Sequence, residues 1–99
     1  MTSTMLKTTF DGLHDEAKEM PADAVIRYVG ERRGQIVLWF ETNFDLMDYV
    51  EGETGKVTRH FAIRQTGHPI PDGATYLGSV PMATLVWNVF EMTAEGANE

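Results

Sequence analysis

The stretch AVIRYVG-ERRG-QIVLWFET, residues 24–42, constrains the fold more than any other part of this chain. β-Branched and aromatic residues fill both arms, and Glu31-Arg32-Arg33-Gly34 between them is a charged, glycine-bearing turn. Two such arms joined by so short a turn form an antiparallel hairpin. In the second arm Ile36-Val37-Leu38-Trp39-Phe40 is apolar without alternation. That pattern predicts a central strand covered on both faces, or one whose outer face meets something else.

The same reading extends along the chain. KVTRHFAIR, residues 56–64, places Val57, Phe61 and Ile63 on one side and His60, Ala62 and Arg64 on the other, as a half-buried strand would. TLVWNVFEM, residues 84–92, carries apolar weight on both faces and reads as a second central strand. ATYLGSV predicts a short strand ending before Pro81, while MLKTTF and EAKEM predict edge strands, the latter stopped at Met20-Pro21. In NFDLMDYVEGETG, residues 43–55, the spacing of Phe44, Met47 and Val50 predicts one short helix at about 43–50, capped by Asn43 or Asp45. Six to seven short strands without βαβ spacing imply an all-β, mainly antiparallel fold, either a small sandwich or a small barrel.

With 99 residues, 42% hydrophobic and 23% charged, the chain is read as a single β domain over 1–99. Its ordered core is expected at about 5–92, with frayed tails at 1–4 and 93–99. The absence of cysteine removes disulfides, thiolate chemistry and cysteine-based metal sites, and suits a reducing cytoplasm. No apolar run approaches the roughly 20 residues of a membrane span, and the first residues do not read as an export signal, so no membrane association is expected.

Reactive groups are few. His14, His60 and His68 form no compact ligand pair, Ser3 and Ser79 lie in no nucleophile elbow, and Gly67-His68-Pro69 lacks the glycine spacing of a phosphate-binding loop. The expectation is therefore a non-enzyme without catalytic residues, metal or cofactor. Formal charge is −7, from eight basic and fifteen acidic side chains. Arg27, Arg32 and Arg33 are the only basic gathering; they read as a solvated turn, and direct nucleic-acid binding is not expected. From Gln35 to Gly55 the chain holds five acids, Glu41, Asp45, Asp48, Glu51 and Glu53, and no base. These are candidate contacts to a basic partner.

TGHPIPDG, residues 66–73, offers a second candidate surface. Each proline fixes its own φ and holds the residue before it extended, so His68, Pro69, Ile70 and Pro71 form a stiff rod between Gly67 and Gly73. A stiff loop presents side chains at little entropic cost. The competing structural expectation is that Ile70 plugs the end of the β core and His68 bonds a neighbouring carbonyl. Trp39 and Trp87, each within an apolar strand, are expected in the core.

The run HFAIRQTGHPIPDGATYLGSVPMATLVWNVFE, residues 60–91, resembles the C-terminal signature of a family of small phage-encoded proteins of unknown function. Shared features are an Arg/Phe-rich strand, TGHPIP, Tyr-x-Gly-x-Val and a closing Leu-Val-Trp-x-Val-Phe-Glu strand. MPADAVIRYVGERRGQIVLWF is also similar to that family's upstream strands, so the likeness spans about 20–91 and is most specific over 64–91. Three features depart: Asn88 stands where a histidine is expected, Pro81-Met82-Ala83-Thr84 lacks glycines, and residues 44–55 look like an insertion.

The resemblance implies a phage product acting in the bacterial host cytoplasm, and no reaction. Joined to the residue chemistry, it leads to the expectation of a small acidic accessory protein that binds a host protein. That partner, a basic nucleic-acid-handling protein among the options, would be inhibited or redirected, as in anti-CRISPR or other anti-defence action. Two alternatives stand beside it: a structural or assembly part of the virion, and a small-metabolite-binding protein or small enzyme using His68 with Asp72 or Tyr76. Strands doubly apolar at 36–40 and 85–90 also leave room for a homodimer across a two-fold axis.

Overall fold

The computed structural model describes residues 2–52 and 54–92. Seven strands run in chain order: β1 (Thr4–Thr9), β2 (Glu16–Pro21), β3 (Val25–Arg32), β4 (Gln35–Thr42), β5 (Lys56–Gln65), β6 (Thr75–Met82) and β7 (Leu85–Met92). One helix, α1 (Leu46–Glu51), lies between β4 and β5. The strands form two antiparallel sheets, ordered β1-β4-β3 and β2-β5-β7-β6. The fold is thus the sandwich of the two expected alternatives.

One core lies between the sheets. Leu6, Val29, Ile36, Leu38 and Phe40 from the three-stranded sheet meet Met20, Phe61, Ile63, Val80 and Val89 from the other. Phe10, leaving β1, packs edge-on against Phe61 at 5.9 Å between ring centres. The two sheets approach closely at Gly78, where a β-carbon would fall 3.0 Å from Val29 Cβ.

The 24–42 hairpin forms as the sequence predicts, closed by Arg33 (φ 54°) and Gly34 (φ 81°). Two left-handed residues in succession make the type I′ turn whose twist matches the flanking strands. Glu31 fastens it by accepting the Gly34 amide at 2.6 Å. β4 and β7 are internal strands and β1 and β2 are edges, as expected.

Several expectations are corrected. β6 does not end before Pro81 but continues to Met82; as an edge strand it can leave the missing proline donor on its open side. Val57 does not share the burial of Phe61 and Ile63: it lies one residue from the start of a long strand and is exposed, while Ala62 on the opposite face is fully buried. Residue Thr4 is already in β1 and the Ser3 hydroxyl is bonded to Glu41, so the expected N-terminal tail is shorter than 1–4. The expected tail at 93–99 lies outside the described residues.

The short helix is present, and Asp45 rather than Asn43 is its cap, accepting the Asp48 amide at 2.8 Å. Its buried contact is not Met47 or Val50, both exposed, but Tyr49, which packs edge-on against Phe40 at 5.5 Å. Lys56 holds the helix from below, donating to the Tyr49 carbonyl and lying over the Tyr49 ring. The preceding corner is tied by Asp23, whose carboxylate accepts the Thr42 hydroxyl at 2.5 Å and the Asn43 amide at 2.8 Å.

Candidate functional site

β4 alternates its side chains across the three-stranded sheet, so Ile36, Leu38 and Phe40 enter the core while Val37, Trp39 and Glu41 point outward. Register then sets what lies beside them. Lys7 of β1 and Tyr28 of β3 flank Trp39, and Met5 and Val25 flank Glu41. The Tyr28 and Trp39 rings lie 5.3 Å apart, and both lean over Gly30, where any β-carbon would strike the Tyr28 ring at 2.6 Å. Glycine at this position therefore lets the aromatic pair lie down on the sheet. Trp39 is half-buried in an outward-facing pair, which corrects the expectation that it belongs to the core; Trp87 does pack against the core.

Beside the free edge of β1 this face continues into a groove of 510 Å³ lined by Met5, Leu6, Lys7, Trp39, Leu46, Tyr49 and Val50. Much of its wall is apolar and exposed, Met5 at 54%, Leu46 at 58% and Val50 at 66%, and Tyr28, at 62%, stands beside Trp39 at its margin. The sequence reading missed Met5, Tyr28 and Leu46. Its one available signal was the unbroken apolar run at 36–40, which alone could not separate a covered outer face from an open one.

None of the acidic candidates among the described residues lines this groove; Asp48 lines a separate hollow with Asn43, Phe44, Gly52 and Thr54, and the candidates differ in what they are free to do. Glu41 is engaged: Ser3 donates to it at 2.6 Å and Arg27 at 2.9 Å, and these hold its carboxyl below the usual range. Asp45 is committed to capping α1. Asp48 and Glu51, one helical turn apart, are exposed on α1. Glu53 lies outside the described residues.

His68, Pro69, Ile70 and Pro71 form a separate surface on the other sheet. With Arg64 of β5 they line an open hollow of 410 Å³. Gly67 (φ 98°) and Gly73 (φ 75°) provide the left-handed turns at its two ends, as the spacing suggests. Ile70 is 52% exposed, so it does not plug the core: the loop projects past the end of β5 instead of folding back over it. His68 bonds through its main chain, its amide donating to the Gln65 carbonyl at 3.0 Å. Arg64 is held by Asp15 across the sheet; burial pushes the Asp15 carboxyl up, but hydrogen bonds from Arg64 and the Ile63 amide outweigh it and leave it lowered.

Tyr76, proposed as a partner of His68, points along another network. Its hydroxyl meets Ser79 at 2.5 Å, Ser79 bonds Asn88 at 2.6 Å, and Asn88 reaches Thr66 and the Arg64 carbonyl. Asn88, the departure from the expected histidine, thus has a full structural role joining β5, β6 and β7. Tyr76 and Asp72 do not line the hollow at His68. Among the described residues no three histidines or carboxylates converge as metal ligands, and no helix is long and apolar enough to cross a membrane.

The family DUF7352, a domain of unknown function, matches residues 1–99, the whole of the sequence. The chain belongs to that family. Neither the curated proteins nor the solved structures contain a match to it. Family membership covers the full span of the fold and brings no activity with it.

Proposed function

We propose that this DUF7352 domain is a phage-encoded accessory protein that acts in the host cytoplasm by docking on a host protein. Docking uses the outer face of the three-stranded sheet and inhibits or redirects that protein, as an anti-CRISPR or other anti-defence factor does. The phage setting rests on the resemblance of residues 60–91 to a phage family signature. The docking mode rests on one observation, the exposed apolar groove with an aromatic pair at its margin.

Aromatic residues and methionine at the centre, with charge confined to the rim, are the composition of a protein interface. Asp48 and Glu51 are exposed on the same helix as Leu46 and Val50, outside the lining of the groove. The net charge of −7 belongs to the chain as a whole and favours approach to a basic partner, such as a nucleic-acid-handling protein, while Lys7 lines the groove itself. The His68 loop lies on the other sheet and serves this reading only as a comparison surface.

The test is affinity capture from host lysate at physiological salt. The wild-type chain is run beside Tyr28→Ser/Leu46→Ser/Val50→Ser, and beside Ile70→Ser as a control. Recovery of one stoichiometric basic protein by the wild type and the control, but not by the triple variant, is the expected result. Finding the protein in many copies in purified phage particles would instead support a virion role.

A further inference from the structure

Of the eight basic side chains, five are engaged. Lys18 pairs with Glu16, Arg27 with Glu41, Arg59 with Glu91 and Arg64 with Asp15, and Lys56 holds the Tyr49 carbonyl. The other three, Lys7, Arg32 and Arg33, have no ion pair among the described residues, and all three line one hollow of 230 Å³. Thr9, Gln35 and Val37 complete it, on the outer face of the three-stranded sheet at its hairpin end. Register explains the convergence: Arg32 lies opposite Gln35 on β4, and Thr9 on β1 lies opposite Val37 on the other side of that strand. Arg27, grouped with these arginines by sequence, is displaced by the bulge between Ile26 and Tyr28 and turns to Glu41.

We infer that this hollow is a binding site for a single phosphate group carried by a small molecule. Two guanidinium forks and one ammonium offer the charge-assisted donors that a phosphate accepts. Thr9 adds a hydroxyl, and Gln35 adds an amide whose other contact, the Phe10 carbonyl at 3.3 Å, leaves a donor to spare. Glu31, next to Arg32 in sequence, directs its carboxylate to the Gly34 amide, and its single negative charge still leaves the three cations in excess. That bond also stiffens the turn that carries Arg33, so part of the ordering is done before any ligand arrives.

Charge decides against a nucleic-acid strand. Well-studied duplex binders make about 6–10 phosphate contacts, whereas this face gathers three cations on a chain with fifteen acids. One compact phosphate needs only the local field. The site shares Lys7 with the apolar groove and is otherwise distinct from it, so it stands whether or not the docking proposal does.

The experiment is amide NMR titration at constant ionic strength with three probes: inorganic phosphate, a nucleoside monophosphate, and a single-stranded oligonucleotide of ten residues. Expected is one saturable set of shifts at Lys7, Thr9, Arg33 and Gly34, from phosphate alone or from the monophosphate more tightly. Lys7→Ala, Arg32→Ala and Arg33→Gly should each weaken it roughly tenfold or more, as loss of a charge-assisted bond does. Arg33→Gly suits a position at φ 54°, so it separates loss of charge from loss of fold. Non-saturating shifts spread over Lys18, Lys56 and Arg64, unchanged affinity in the three variants, or an oligonucleotide bound more tightly than the monophosphate would each overturn the assignment.

Discussion

Gly78→Ala tests how closely the two sheets are matched. The added methyl would lie 3.0 Å from Val29 Cβ and 3.2 Å from Val29 Cγ2. Carbon atoms pack best at about 3.5–4.0 Å, so several tenths of an ångström must be found. Val29 is buried and β-branched, so its χ1 has little freedom, and both β-carbons are fixed to strands. Relief requires β6 to move away from β3. Overpacking of this kind costs about 1–3 kcal/mol, against which alanine recovers roughly 0.5–1 kcal/mol of chain entropy that glycine loses in a strand. The net expectation is a loss of about 1–2 kcal/mol, with Tm falling about 4–8 °C for each kcal/mol in a domain of this length. Urea denaturation of Gly78→Ala, Val29→Ala and the double variant measures it. The two substitutions should couple, the double variant being more stable than additivity predicts by about 0.5 kcal/mol or more, because the new methyl enters space vacated at Val29. A neutral or stabilising Gly78→Ala, or strict additivity, would refute the close approach of the sheets.

Three further outcomes follow from specific contacts. Arg59 grips Glu91 with two hydrogen bonds, at 2.6 and 2.7 Å, and the Ala24 carbonyl with a third, tying two strands to the β2–β3 loop. Glu91→Gln should cost about 1–2 kcal/mol in a denaturation midpoint, less than a fully buried pair because both side chains retain some solvent. Asp15, Glu16, Asp23 and Glu41 all have folded-state pKa values below their ordinary ones. A lowered carboxyl stabilises the fold fully above its unfolded pKa and loses that contribution as pH falls through its folded pKa, so Tm should hold near neutrality and drop below about pH 4. Ala83, at φ 56° in the β6–β7 turn, sits where a side chain is strained, and Ala83→Gly should raise stability by about 0.5–1 kcal/mol in thermal melts.

Strand identity was legible wherever local pattern decides it. The 24–42 hairpin needed only a glycine-bearing turn between two β-rich arms, and the cap of α1 could be narrowed to Asn43 or Asp45 because a capping side chain acts only three residues away. Exposure was not legible, since it depends on what the other sheet and the helix cover. Trp39 and Trp87 occupy similar apolar strands, yet one faces outward and the other packs on the core. Ile70 failed for the same reason: two prolines predict a stiff loop but not the direction in which it leaves β5. The acidic run at 41–51 was visible as charge, while the division between engaged Glu41 and Asp45 and open Asp48 and Glu51 depends on hydrogen bonds made only in the fold. The three cations of the phosphate pocket come from two strands and a turn, and no spacing rule brings Lys7 to Arg33.

Site-specific photocrosslinking in the host tests the docking face most directly. A photoreactive residue at Leu46, on the groove, is compared with one at Tyr76, exposed on the opposite sheet. One host protein attached through position 46 and not through position 76 is the predicted result. Attachment through 76 instead, or attachment from 46 only to a second copy of the chain, would contradict it.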